Sequence, residues 1–120
     1  MTAPGRLAGL ERRPLPGDLT LLVAADRRAR RRGLARLDPS ALPSGHALLF
    51  ERCRSVHTIG MRFALDLLWL DGEGVLVRLD RAVAPRRLRT CLAAHSVVEA
   101  AAGEGERFAA ALAAPERPGF

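Results

Sequence analysis

The chain has 120 residues, 48% of them hydrophobic and 27% charged, with a formal net charge of +6. A chain of this length buries roughly two thirds of its extended surface, which supports one domain with a core of its own and excludes wholesale disorder. The longest nearly apolar run, Phe63 to Leu70, is broken by Asp66 and falls far short of the ~20 residues of a membrane-spanning helix, and residues 1–10 lack the apolar stretch of a secretory signal, so a cytoplasmic, non-membrane protein is expected.

In chain order, residues 1–17 hold Pro4, Gly5, Gly9, Pro14, Pro16 and Gly17, punctuation that predicts a flexible N-terminal arm ahead of a single globular domain over 18–114. Leu19 to Ala24 is a short apolar run suited to a buried strand. Asp26 then caps a short helix near 26–33 that ends at Gly33, where a left-handed conformation is cheap. Pro39, Pro43 and Gly45 make Leu34 to Gly45 a loop, and His46 to Phe50 reads as a second strand. Ser55 to Met61 reads as a third extended region because Val56, Thr58 and Ile59 are β-branched.

Two apolar runs, Phe63 to Asp71 and Val75 to Val83, flank Gly72-Glu73-Gly74 and predict a hairpin. Pro85 to Arg89 is a charged connection, Thr90 to Ala94 is extended or irregular, and His95 to Ala100 is the last strand. Phe108 and Leu112, four apart among alanines, predict a short C-terminal helix near 104–114 that Pro115 stops, leaving 115–120 as a tail. Six short strands and two short helices imply a mainly β fold, with α+β as the variant. The sheet is expected to be antiparallel, compact, and curled or barrel-like, because no helices of crossover length alternate with the strands.

The order of several segments resembles the family known as domain of unknown function 192, an uncharacterised bacterial and archaeal group. These are Leu21 to Asp26 leading into Arg30-Arg31-Arg32-Gly33-Leu34, Leu42-Pro43 with Ala47-Leu48-Leu49-Phe50, Val56 to Asp66, and Leu68-Trp69-Leu70-Asp71-Gly72-Glu73-Gly74-Val75. The resemblance spans about residues 19–103. Where the commoner family pattern carries aromatic-Trp-Met-Lys-Asn-Thr, this chain reads Val56-His57-Thr58-Ile59-Gly60-Met61, within a Cys-Arg-Ser-Val-His-Thr variant at Cys53 to Thr58. The resemblance implies a compact, mainly β domain and no established reaction, so no catalytic assignment comes with it.

Chemically distinctive side chains cluster beside the hairpin. Cys53, His57 and Met61 recur at a spacing of four, a soft donor set that would suit Cu(I) or Zn on one face of a helix. In an extended segment that spacing puts neighbours ~13 Å apart, so no metal and no cofactor is assigned. Cys53 between Arg52 and Arg54, with His57 as base, is a thiol-enzyme alternative that lacks a third orienting residue. Cys53 and Cys91 are expected as reduced thiols.

All 19 basic residues are arginine and lysine is absent, a sign of coding bias more than of a selected partner. The run Arg27 to Arg32 could contact phosphates, but arginines on nearly every side of a short helix, with no stacking platform of aromatics, make nucleic acid an alternative and not the expectation. Asp66, inside Phe-Ala-Leu-Asp-Leu-Leu-Trp, needs donors if buried; Arg62 or the amides of 56–60 are its candidates, and a structural clamp is favoured over a catalytic acid. The expected function is noncatalytic binding of a small ligand or a protein partner by a monomer or weak homo-oligomer. The surface assigned to it comprises Cys53, Arg54, His57, Thr58, Met61 and Asp66.

Overall fold

Three strands carry apolar residues at successive positions and not only at alternate ones, and that sets the architecture. A strand with no polar face must be covered on both sides. In a computed structural model, which describes residues 5–25 and 33–112, these strands are β3 (His46–Glu51), β5 (Leu65–Leu70) and β8 (Ser96–Ala101). They form the middle of a six-stranded sheet with order β1-β2-β3-β8-β5-β6, completed by β1 (Glu11–Leu15), β2 (Leu19–Val23) and β6 (Leu76–Val83). A separate ribbon pairs β4 (Ser55–His57) with β7 (Leu88–Thr90).

Each face of the sheet has its own core. On one, Leu22, Leu48, Phe50, Leu67, Trp69 and Val97 pack with Val56, Cys91 and Ala94 from the ribbon and its connections. On the other, Leu21, Leu49, Leu68, Val98 and Ala100 pack under Phe108 of the C-terminal helix, α2 (Gly105–Leu112). The side-chain period of two therefore sends odd-numbered residues of β5 to the ribbon and even-numbered ones to the helix.

The predicted hairpin is present as β5 and β6. Asp71 Oδ1 accepts from the amides of Glu73 and Val75 at 2.9 and 3.0 Å, and Gly74 takes φ +81°. Of the two glycines, only Gly74 adopts the left-handed backbone expected there. Opposite Asp66 the register slips, from Leu65↔Val83 to Leu67↔Asp80, so β6 carries a bulge at Arg81 and Ala82.

Several expectations are corrected. The arm over 1–17 contains a short helix, α1 (Gly5–Ala8), and β1, which pairs antiparallel with β2. Pro14 is tolerated because β1 is an edge strand and needs no donor on its free side. The fold is mainly β and the sheet curled, as expected; it is not closed into a barrel, and one of its pairs, β2 with β3, runs parallel while the others are antiparallel. The extended reading of Ser55 to Met61 holds only to His57, after which the chain turns at Gly60, φ +84°. The charged connection and its sequel contain β7. Of the helix expected near 26–33, residues 26–32 with the run Arg27 to Arg32 fall outside those described, as does the tail over 115–120, while Gly33 at its expected end takes the left-handed φ of +47°.

Candidate functional site

Cys53, His57 and Met61, which the strand reading separates, line one pocket. Two bends bring them there. Arg52 adopts φ +52° at the end of β3, after which the Cys53 amide donates to the His95 carbonyl at 2.9 Å. The Gly60 turn then folds Met61 back beside Val56 and His57. The hollow, about 140 Å³, lies between Gly33 and Leu34 on one side and Phe50 and Glu99 of the sheet on another.

Glu99 is the residue that sequence reasoning passes over, because it falls inside the apolar run of the last strand. Its register partners are Leu48 and Leu67, and it faces the ribbon side of the sheet at 6% exposure. Its Oε1 is buried without a hydrogen-bond partner, the sole such side-chain atom among the described residues. Burial pushes the carboxyl up to about 7. The signal was available: an acid between Val98 and Ala100 poses the same question as the acid between Leu65 and Leu67.

The other assigned residues have different duties. Asp66 points to the helix face, away from the pocket. Its Oδ1 accepts from the Ala82 amide at 2.8 Å, and its Oδ2 from the amides of Gly103 and Gly105 at 2.9 and 2.8 Å. One carboxylate thus ties the β6 bulge to the start of α2, the clamp expected, but with partners other than those proposed for it. Arg62 instead pairs with Asp38 at 3.1 Å. Thr58 is wholly buried; its hydroxyl donates to the Ala84 carbonyl and accepts from the Arg87 amide, both at 2.8 Å, pinning β4 to the connection before β7. Arg54 turns to the Ala94 carbonyl and, with Arg52 and His95, lines a different and more open hollow of about 330 Å³.

The Cys53 thiol donates to the Ser55 carbonyl at 3.2 Å and not to His57, and both cysteines are free thiols. Among the described residues no three of His, Cys, Asp or Glu converge as metal ligands. No described helix is long and apolar enough to cross a membrane.

Comparison with known proteins places the fold. A crystal structure from Sinorhizobium meliloti 1021, presented as a candidate transcription regulator, is similar with a TM-score of 0.62 at 22% identity, over 81% of this chain and 82% of that one. A protein of unknown function from Novosphingobium aromaticivorans DSM 12444 is similar with the same TM-score at 14% identity, over 89% and 91%. At such identities the likeness is one of fold. No curated protein matches the chain. The family model for DUF192, described as "Uncharacterized ACR", matches residues 11–111, nearly the whole of both cores and the pocket on the ribbon side, and the chain therefore belongs to the DUF192 family.

Proposed function

We propose that the chain is a noncatalytic binding domain whose ligand is a small molecule held in the pocket of Cys53, His57 and Met61 over Glu99. One observation carries this reading: a buried carboxylate oxygen without a partner belongs to a residue that lines a hollow walled by apolar Phe50, Val56 and Met61 and by polar Cys53, Ser55 and His57. Roughly nine in ten buried polar groups find a partner in the protein or in ordered water, so an unpaired oxygen in the lining of a hollow is a place where a partner from outside can bind. Apolar walls with a small number of polar groups are the usual make-up of ligand sites. The thiol bonded to Ser55, away from His57, speaks against nucleophilic chemistry at the same place.

Native mass spectrometry of protein isolated from its source cells without chelator, with metal assayed in parallel, tests the proposal. A stoichiometric small added mass is expected, and Met61→Trp, which fills the hollow, is expected to remove it. His57→Ala should keep the cooperative thermal transition and weaken retention of the added mass; loss of that transition would make His57 structural. A clean apo mass in every preparation would overturn the small-ligand reading in favour of a protein partner. Ile59 and Leu88, 65% and 66% exposed at the pocket rim and on the ribbon, are the apolar contacts such a partner would use.

A further inference from the structure

We infer that the pocket selects a small organic cation, a protonated amine on a compact apolar body, with Glu99 as the group that receives the nitrogen; this rests on the pocket being a ligand site. The first argument is valence. An ionised carboxylate only accepts hydrogen bonds, and an ammonium only donates them, so the two complete each other without a further group. No arginine among the described residues pairs with Glu99.

The second argument is position. The ideal Cβ point of Gly33 lies 3.3 Å from Glu99 Oε1 and 3.3 Å from Phe50 Cζ, so the Gly33 backbone packs against both and holds carboxylate and ring end side by side. Both belong to the lining of the hollow, a carboxylate next to an apolar surface. Val56 and Met61 continue the apolar wall. A volume of about 140 Å³ is close to that of an apolar cavity of ~150 Å³ known to hold benzene, so a body of about four to six carbons fits within it.

The third argument is preorganisation. Folding has already stripped the carboxyl of water, which raises it to about 7, so entry of an ammonium costs the ligand its hydration and the carboxyl whatever proton it still holds, and the pair forms best above that value. The positive net charge of the protein opposes a cation at long range. Salt screens that repulsion beyond ~8 Å under physiological conditions, and the nearest charge then decides.

The test titrates n-butylammonium, 1-butanol and butyrate into isotopically labelled protein, reading the methyl signals of Val56, Ile59 and Met61. Butylammonium is expected to bind at least tenfold more tightly than 1-butanol, and Glu99→Gln to abolish that preference while leaving 1-butanol unaffected. Equal binding of amine and alcohol, or tighter binding of butyrate, would overturn the cation while keeping the pocket as a ligand site. No methyl shift with any of the three would overturn both. Should Glu99→Gln fail to fold, the wild-type protein decides. The Glu99 side-chain carboxyl carbon, titrated apart from the Cys53 and His57 signals of the same pocket, is expected to show a midpoint at least one pH unit lower with saturating butylammonium. An unmoved midpoint would overturn the inference.

Discussion

A side chain on residue 33 would begin 3.3 Å from the Glu99 carboxylate and equally close to the Phe50 ring, so the turn at Gly33 and the inner wall of the pocket occupy the same narrow space. Gly33 also takes φ +47°, a left-handed backbone that costs a residue with a Cβ about 1–2 kcal/mol. Gly33→Ala is expected to lower stability by at least that amount and to displace Glu99 or Phe50. Urea unfolding measures the first, and the methyl spectrum of the pocket the second. An unchanged midpoint with an unchanged spectrum would show that the turn does not constrain the site.

Glu99 gives stability a definite slope with pH. Its carboxyl is raised from 4.5 to about 7, so between those values the folded protein keeps a proton that the unfolded chain has released. Stability from this group therefore falls as pH rises through that window and is level on either side. The span is on the order of 3 kcal/mol, taking 1.36 kcal/mol per pH unit. Glu99→Gln should lose this slope and gain on the wild type at pH 8 relative to pH 5. Urea midpoints of both proteins at the two pH values check it, and parallel midpoints would mean that Glu99 is not desolvated as its position indicates.

Legibility in the sequence divides by the range of the interaction. The β5–β6 hairpin is written in neighbouring residues, two apolar runs about Gly72-Glu73-Gly74, and is read without error as to place. Strand β1 is not, because its pairing with β2 rewards Arg12 and Arg13 only through backbone bonds, and Pro14 argues against a strand unless its edge position is known. The convergence of Cys53, His57 and Met61 depends on bends at Arg52 and Gly60. A non-glycine left-handed residue such as Arg52 has no local signature. Asp66 and Glu99 present the same pattern, an acid in an apolar strand, yet three backbone amides satisfy one and Oε1 of the other has no partner. Only the tertiary structure separates clamp from candidate ligand group.

Asp66→Ala should be among the most damaging single changes outside the apolar core. It strands the amides of Ala82, Gly103 and Gly105, each a donor lost from a charged acceptor. A loss of about 3 kcal/mol or more is expected, since unsatisfied buried groups cost roughly 1–3 kcal/mol apiece. Asp66→Asn should recover part of it, keeping one acceptor oxygen. Folded Asp66→Asn is further expected to bind butylammonium as the wild type does, because residue 66 faces the helix and not the pocket. Selective loss of that binding, with stability retained, would return Asp66 to the site.

The sole tryptophan allows a last prediction to be read by fluorescence. Trp69 is wholly buried, and its indole nitrogen donates to Asp80 Oδ2 at 3.0 Å. Arg78 grips the same carboxylate through Nε at 3.0 Å and Nη2 at 2.7 Å, with its guanidinium carbon 5.4 Å from the indole centroid. Burial alone would raise the Asp80 carboxyl, but the bonds from Arg78 and Trp69 and the charges of Arg78 and Arg89 outweigh it and hold the group below its ordinary 3.8. Asp80 therefore stabilises the fold above pH 3.8, and that stability is lost as pH falls through the lower folded-state value. Asp80→Ala should cost about 1–3 kcal/mol at pH 7 by leaving the indole unpaired. Asp80→Asn keeps an acceptor for the indole and should cost less at pH 7, while flattening the acid limb below pH 4. Guanidinium unfolding followed by Trp69 emission at pH 7 and pH 3 separates the two effects. Equal losses for both variants at pH 7 would assign the stabilisation to the ion pair with Arg78 and not to the indole bond.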